Sequence, residues 1–167
     1  DELIIVAKRI PTAIDGTFVH DGIAIPNAVI SFAPMSHPFL SLNFTTDENG
    51  AFEDVMLPPD NYMYTITLDS DGSRYYVAGQ IGIPIGTPSI DMGELTAELR
   101  YLVAGDIALD GEAKTGIIQF TPVNDFGNIT SIESTPFGTY SEYLFPGNYY
   151  VTFQDGQSSK HYSYGGL

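Results

Sequence analysis

The sequence has no cysteine, no tryptophan and few basic residues. Without cysteine, disulfide bonds cannot stabilise the fold, although this does not exclude an extracellular location, since many secreted proteins have none. Only 6 basic residues stand against 21 acidic ones, which gives a net charge of -15. A surface of that charge repels nucleic acid and anionic lipid and attracts cations. We therefore expect no nucleic-acid partner and no acidic substrate.

Long apolar runs are also missing. No stretch of about 20 apolar residues occurs, so we expect no membrane span. The chain begins with neither Met nor a basic segment, which indicates a mature form or an excised fragment. An apolar content of 43% argues against intrinsic disorder. The 11 Tyr, 10 Phe, 17 Gly and 11 Pro suit short strands joined by many turns.

The chain contains an internal repeat. Residues 46–67 combine an acidic turn, a short strand, a Pro-Pro corner and a longer alternating strand, and residues 136–153 repeat this hairpin. The period is about 88 residues, the spacing from Phe32 to Phe120. The matched pairs are Gly16 and Gly105, Phe32 and Phe120, Pro34 and Pro122, Gly50 and Gly138, Phe52 and Tyr140, Pro58 and Pro146, and Tyr62 and Tyr149. A repeat of this length predicts two tandem domains.

Alternating segments between turn residues predict strands throughout. Those of the first unit are residues 13–20, 27–33, 39–45, 51–55, 61–68, 74–81 and 89–99. Those of the second are residues 101–109, 115–121, 128–133, 139–143, 148–153 and 161–164. No segment sustains a helical apolar period. We therefore predict an all-β chain of two tandem antiparallel β-sandwiches, at residues 11–100 and 101–167.

The two units differ at their ends. The second unit has no counterpart of the predicted strand around residues 90–96, so we expect its sandwich to lack the last strand. Residues 1–10 form an extension whose apolar run has no place in the first unit. That run, the candidate donor strand, consists of Leu3, Ile4, Ile5, Val6 and Ala7.

An incomplete sandwich invites strand addition from another chain. If the candidate donor strand completes the second unit of a neighbour, the contact is head-to-tail and does not close, so it builds a filament or tube. The alternative is that the chain was cut from a longer repeat array and that its terminal strands are remnants. The sequence leaves both open.

A family resemblance rests on the turn and corner motifs. These are the Gly16 strand, residues 26–30, the turn at residues 46–52 and the corner at residues 57–62. The second copy keeps Gly105, residues 117–120 and residues 145–149, but its turn at residues 135–138 lacks the carboxylates. The chain resembles the carboxypeptidase regulatory-like, transthyretin-like superfamily, with collagen-adhesin B-type repeats as near relatives.

The resemblance implies a seven-stranded immunoglobulin-like sandwich, usually non-catalytic and common in surface proteins. Some adhesin relatives carry a Lys–Asn isopeptide bond, for which Lys8, Lys114 and Lys160 are the only lysines here. None of them has a matched asparagine in a convincing strand. The motifs specify fold more than function.

Catalytic chemistry is not indicated. His20, His37 and His161 are isolated and have no second ligand at metal spacing. Nucleophile-elbow, phosphate-loop and dinucleotide-binding motifs are absent from the sequence. We predict that the protein is not an enzyme.

One acidic turn is a candidate Ca²⁺ site. Asp69, Asp71 and Ser73 alternate their oxygens around Gly72, as at the front of a calcium loop. No bidentate Glu follows at the EF-hand position, so an ordinary acidic hairpin turn is the alternative. Weaker candidates for binding divalent cations are Asp47, Glu48 and Asp54.

Two Asn-X-Thr sequons, at Asn43 and Asn128, occupy equivalent places in the two copies. If Leu40, Leu42 and Phe44 face inward, Asn43 lies in solvent. N-linked glycans are therefore predicted for a secreted protein, with chance occurrence as the alternative.

Taken together, the sequence predicts a structural subunit of an extracellular filament, tube or surface array that assembles by strand donation. The alternative is an adhesin or carbohydrate-binding accessory module of a larger surface protein. For that module, sugar could stack on Tyr75, Tyr76, Tyr162 and Tyr164, although these could equally be cross-strand pairs.

Overall fold

The computed structural model describes residues 10–158 and 160–164. It divides into two compact units at the bond between Leu99 and Arg100, one residue before the predicted boundary. Every regular element of the described residues is a β-strand, as the sequence predicts. Among these residues, no helix is long and apolar enough to cross a membrane. The candidate donor strand, Leu3 to Ala7, lies outside the described residues.

Eight strands precede Ala97 in the described part of unit 1. They are β1 (Thr12–His20), β2 (Ile23–Ala24), β3 (Val29–Pro34), β4 (Leu42–Thr45), β5 (Ala51–Leu57), β6 (Asn61–Ser70), β7 (Ser73–Gly82) and β8 (Ser89–Thr96). In the first sheet β5 and β2 pair with successive parts of one edge of β1, and β8 pairs along its opposite edge. The second sheet has the order β4-β3-β6-β7. Only the β1–β8 pair is parallel among the pairings of this unit.

The core of unit 1 lies between these two sheets. Its largest fully buried side chains are Phe18, Phe32, Ile14, Ile30, Leu57 and Ile66. They come from alternate positions of β1, β3, β5 and β6, as period-two strands with one buried face require. Three side chains of β8, Ile90, Met92 and Leu95, pack against this core and are partly buried.

Unit 2 repeats the plan with a smaller core. Its described strands are β9 (Glu98–Asp106, which begins before the division), β10 (Ala108–Leu109), β11 (Glu112–Ala113), β12 (Gly116–Pro122), β13 (Thr130–Glu133), β14 (Thr139–Leu144), β15 (Tyr149–Asp155) and β16 (His161–Tyr164). β9 pairs with β14, β10 pairs with β11, and the other sheet has the order β13-β12-β15-β16. Its smaller buried core consists of Ile118, Phe120, Leu144, Tyr149 and Phe153.

One glycine in each unit explains part of the repeat. A Cβ atom on Gly16 would come within 2.6 Å of the Phe52 ring. A Cβ atom on Gly105 would come within 2.8 Å of the Tyr140 hydroxyl. Each aromatic side chain thus lies over a glycine on the neighbouring strand, and any larger residue there would displace it.

Several predicted strand boundaries are wrong. β4 begins at Leu42 rather than at residue 39, because the N–H of Leu40 closes a turn with the carbonyl of His37 at 2.9 Å. The prediction that Leu40 faces inward is therefore wrong, since this side chain is 62% exposed. The predicted strand at residues 89–99 is divided at Ala97, whose N–H donates to the Val19 carbonyl at 2.6 Å. The predicted strand at residues 128–133 begins only at Thr130.

Candidate functional site

The candidate site is best defined by the role of β8 in unit 1. β8 pairs in parallel with β1, so that Ile90 is opposite Ile14 and Leu95 is opposite Phe18. Both partners on β1 are fully buried. Because a fully buried aliphatic side chain contributes roughly 1.5–3 kcal/mol, the partly buried side chains of β8 make a smaller but substantial contribution to this core.

In unit 2, β9 takes the part of β1. Its Gly105 pairs with Tyr140 of β14, as Gly16 pairs with Phe52 of β5. Within the described part of unit 2, however, β14 is the only strand of the unit that pairs with β9. The described residues of this unit therefore contain no counterpart of β8.

An open cavity of about 440 Å³ lies where that counterpart would pack. Its apolar lining comes from both sheets and includes Ile107, Leu109, Ile118, Tyr140, Val151 and Phe153. Ile107 is the repeat equivalent of Phe18, the residue that Leu95 of β8 faces in unit 1. We call this cavity the open groove.

The open groove leaves apolar surface incompletely buried. Ile107, Leu109, Tyr140 and Val151 are half-buried, although all of them pack against the core of unit 2. An apolar segment placed in the cavity would cover these side chains and remove their surface from water. The chemistry of the open groove therefore suits an extended apolar segment.

The predicted Ca²⁺ site lies on the turn between β6 and β7. Asp71 and Gly72 both have positive φ, 47° and 77°, as in a two-residue hairpin turn. Both Asp69 oxygens accept hydrogen bonds from Arg74, at 2.6 and 2.8 Å, and this guanidinium holds the pKa of Asp69 below its ordinary value. The Ser73 hydroxyl donates to the carbonyl of Ser70 at 2.7 Å. A Ca²⁺ ion would compete with these bonds, and the site stays a prediction.

One of the weaker cation candidates, Asp47, bonds backbone groups of its own turn. An Asp47 oxygen accepts the N–H groups of Ala51 and Asn49, both at 2.8 Å. The bond from Ala51 is the main reason why the pKa of Asp47 is lowered. In unit 2 the Thr135 hydroxyl takes this place and accepts from Phe137 and Thr139, each at 3.3 Å. In the described part of the chain no three His, Cys, Asp or Glu side chains are grouped as metal ligands would be.

The two sequons have different surroundings. Asn43 lies on β4, and its Oδ1 accepts the hydroxyls of Ser31 at 2.8 Å and Ser41 at 3.2 Å. Asn128 lies in a turn before β13, and its Nδ2 donates to Asp125 Oδ2 at 2.6 Å. Both side chains are exposed. Glycosylation of either residue stays a prediction.

The three histidines lie on separate elements. His20 on β1 has its Nδ1 3.0 Å from the carbonyl oxygen of Ala97, and its ring meets Tyr75 edge to face. His37 lies in the β3–β4 loop, and His161 lies on β16. The prediction that the protein is not an enzyme stays a prediction.

Two of the tyrosines proposed to bind sugar have packing roles. Tyr75 packs against the core of unit 1 and contacts His20, with ring centroids 5.2 Å apart. Tyr162 is the cross-strand partner of Phe153, and their rings stack at 6.2 Å. For Tyr162 the structure favours the cross-strand alternative, whereas Tyr75 packs against the core. The aromatic pair that sequence reasoning missed is Phe126 with Tyr150, whose rings are near-parallel.

Comparisons with known proteins give similarity in structure only. No family model matches the sequence, and the search of curated proteins gives no match. The Bacillus anthracis TIE protein has a TM-score of 0.42 and 17% identity over 93% of this chain, which spans 31% of that protein. A streptococcal ancillary pilin has a TM-score of 0.41 and 15% identity over 95% of this chain and 60% of its own. The shaft pilin SpaA from Lactobacillus rhamnosus has a TM-score of 0.41 and 10% identity, over 92% of this chain and 93% of its own.

Proposed function

We propose that the protein is a structural subunit of an extracellular filament, tube or surface array. Copies polymerise head-to-tail, and each gives its donor strand, Leu3 to Ala7, to unit 2 of a neighbour. The observation that carries the proposal is the open groove: unit 1 has β8 against its core, and unit 2 has an apolar cavity at the equivalent place.

The donor strand has the composition that the open groove requires. Its five residues are all apolar, and Ile4, Ile5 and Val6 are β-branched, which favours a strand. In a strand, Leu3, Ile5 and Ala7 share one face, whereas Ile4 and Val6 share the other. Three apolar side chains on one face match the number that β8 supplies to unit 1.

The order of donor and acceptor along the chain determines the form of the assembly. The donor strand precedes β1, and the acceptor is unit 2, at the other end of the sequence. One copy can therefore give a strand to a second while it accepts a strand from a third. A contact of this kind joins two different surfaces and repeats without limit unless its rotation closes a ring.

The charge of the chain bears on the conditions of assembly. Subunits with a net charge of -15 repel each other when they are closely packed. Divalent cations would lower that repulsion, and Ca²⁺ at Asp69, Asp71 and Ser73 is the candidate cofactor. A role for Ca²⁺ predicts that a chelator weakens the polymer even where the donor strand is intact.

Electron microscopy and sedimentation of the purified full chain test the function. We expect the wild-type chain to form end-to-end polymers and the Ile5→Asp and Ile107→Asp variants to remain monomeric. The first variant places a charge in the donor strand, and the second places one in the open groove. Ile10→Asp is the matched control, because Ile10 is 70% exposed and lies outside the donor strand. Polymers formed by both groove and donor variants would refute strand donation.

The second candidate, an adhesin or carbohydrate-binding module, receives less support. The packing of Tyr75 and Tyr162 removes two of the four tyrosines that sequence reasoning offered as a sugar platform. A glycan-binding screen tests this alternative directly. Saturable binding by a wild-type chain that stays monomeric would favour it over the polymer.

A further inference from the structure

We propose that Asn128 is the N-glycosylated residue of this chain, that Asn43 is left unmodified, and that the first sugar packs on Phe126. Equivalent positions in the repeat would predict equal treatment of the two sequons. The structure gives three differences between the two sequons. They are the burial of the middle residue, the hydrogen bonds of the asparagine amide, and the presence of an aromatic ring in the same turn.

The first difference is the cost of presenting each sequon to a modifying enzyme. Asn43, Phe44 and Thr45 all lie within β4, paired with β3. Phe44 packs on the core of unit 1 and meets Phe32 edge to face at 6.3 Å. Because an enzyme cleft must take the tripeptide away from the protein surface, modification of the folded Asn43 would require Phe44 to leave that core.

The sequon of unit 2 carries no such cost. Asn128 and Ile129 precede β13, and Ile129 is 49% exposed. The turn that holds them is closed by the N–H of Asn128, which donates to the Asp125 carbonyl at 3.3 Å. Asn128 and Ile129 can therefore enter a cleft without removing a core side chain.

The second difference is the state of the amide. At Asn43 the Oδ1 atom already accepts two serine hydroxyls. At Asn128 the Nδ2 atom donates one hydrogen to Asp125 Oδ2 at 2.6 Å. An amide nitrogen has two hydrogens, and a glycosidic bond replaces only one of them. The bond to Asp125 can thus persist in the modified protein, where it orients the sugar.

The third difference is Phe126, which lies in the same turn, two residues before Asn128. Its ring lies near-parallel to that of Tyr150, with centroids 6.3 Å apart and planes 14° apart. The side chain is nevertheless 66% exposed, so one ring face remains open to solvent. A pyranose ring presents an apolar C–H face, and its packing on an aromatic face removes apolar area from water.

The position two residues before Asn43 is occupied by Ser41, a small polar residue whose hydroxyl donates to Asn43 Oδ1 at 3.2 Å. Asn128 alone therefore has an aromatic ring placed to receive the attached sugar. A surface recess of about 660 Å³ borders Asn128 and leaves room for the rest of the first saccharide units.

The chemistry is a group transfer from a lipid-linked oligosaccharide whose sugar C1 is bonded to phosphate oxygen. The Nδ2 atom of Asn128 attacks C1, so that an N–C1 bond forms and the C1–O bond to phosphate breaks. The bonding pair leaves with the lipid phosphate, and the amide loses one proton to a base of the transferase. No oxidant or reductant is needed.

Glycopeptide mass spectrometry of the protein from its native cells tests the assignment. We expect the peptide that contains Asn128 to carry a sugar mass and the peptide that contains Asn43 to be unmodified. An unmodified Asn128, or equal occupancy of the two residues, would overturn it. Two variants made in the same cells are the controls. Asn128→Gln should abolish the mass shift of the intact protein, and Asn43→Gln should preserve it.

Packing of the sugar on Phe126 has its own readout. Phe126→Ala should lower the melting temperature of the glycosylated protein by about 4 °C more than it lowers that of the Asn128→Gln protein, where no sugar is present. Equal losses in the two backgrounds would overturn the packing.

The inference rests on the extracellular location in the proposed function, but the two fail separately. Assembled, exported protein with an unmodified Asn128 would overturn only the glycosylation. A modified Asn128 on a chain whose donor and groove variants still polymerise would overturn only strand donation.

Discussion

The hydroxyl of Tyr62 donates a hydrogen bond to the carbonyl oxygen of Pro58 at 2.9 Å. In unit 2, Tyr149 makes the same bond to Phe145 at the same distance. Each tyrosine enters the strand that follows a proline corner, and its ring is buried in the core of its unit. In both units the tyrosine hydroxyl thus bonds the proline corner to the strand that follows it.

Removal of this hydroxyl should therefore destabilise unit 1. We expect Tyr62→Phe to lower the free energy of unfolding by about 1–2 kcal/mol, because the ring still packs while the Pro58 carbonyl loses its partner. Urea denaturation measures the change. The control is Tyr101→Phe, at a position that is 48% exposed, where we expect a change within about 0.5 kcal/mol. Equal effects of the two substitutions would contradict a role for the corner.

Alkaline pH should act on the same tyrosine, Tyr62. Burial, and then the negative charge of Asp60, raise the pKa of Tyr62 above its ordinary value of 10.0. Ionisation is therefore easier in the unfolded chain. The contribution of Tyr62 to the free energy of unfolding is complete below that ordinary pKa. It is lost as pH rises through the higher pKa of the folded state.

The corresponding measurement is urea denaturation from pH 8 to pH 11. We expect the wild-type chain to lose stability above about pH 10, the pKa of an unperturbed tyrosine, and the Tyr62→Phe chain to lose less. The pKa of Tyr149 is also raised by burial, so the Tyr62→Phe, Tyr149→Phe double variant should have the flattest profile. Parallel curves for all three proteins would contradict this assignment.

The repeat could be read from the sequence because its matched residues are those with special steric roles. Gly16 and Gly105 must be glycine, since an aromatic ring lies over each. Thr46 and Ser134 were not singled out, although each is buried at an equivalent place and bonds backbone groups nearby. The two side chains differ only by a methyl group, but because the residue types differ, the shared role of their hydroxyls is not visible as a sequence match.

Other features depend on contacts that local pattern does not encode. The apolar alternation of β8 predicts a strand, but it does not tell that this strand joins the first sheet and runs parallel to β1. The missing counterpart in unit 2 follows from the repeat, whereas the cavity beside Ile107 requires both sheets to be in place. The Asp69–Arg74 pair was missed although the signal was present: a two-residue turn at Asp71 and Gly72 places them opposite each other.

A peptide can test the open groove independently of polymer formation. A chain that lacks residues 1–10 retains every described strand and should remain monomeric. We expect a peptide of residues 1–10 to bind it and to raise its stability, by roughly 2.7 kcal/mol at 100 times the dissociation constant. Fluorescence anisotropy and thermal denaturation give the two readouts.

Two controls define the specificity of that binding. The Ile107→Asp form of the shortened chain should bind the peptide at least tenfold more weakly, because its groove contains a charge. A peptide with Ile5 replaced by Asp should lose affinity for the same reason. If the variant chain and the variant peptide bind as tightly as the unchanged chain and peptide, the contact lies outside the open groove.

Replacement of Arg74 tests the Ca²⁺ site most sharply. The Arg74 guanidinium occupies both oxygens of Asp69, so the Arg74→Gln change should release a full carboxylate to the turn that already carries Asp71 and Ser73. If Ca²⁺ binds there, calorimetry should give affinity about tenfold higher for Arg74→Gln than for the wild-type chain, since carboxylate oxygens are preferred ligands. Asp71→Asn should weaken Ca²⁺ binding by a similar factor. Asp47→Asn, in the acidic turn between β4 and β5, should leave it unchanged. Equal Ca²⁺ affinity in all four proteins, or no binding by any of them, would remove this turn as a cation site and would leave the Asp69–Arg74 pair as a structural bond across the hairpin.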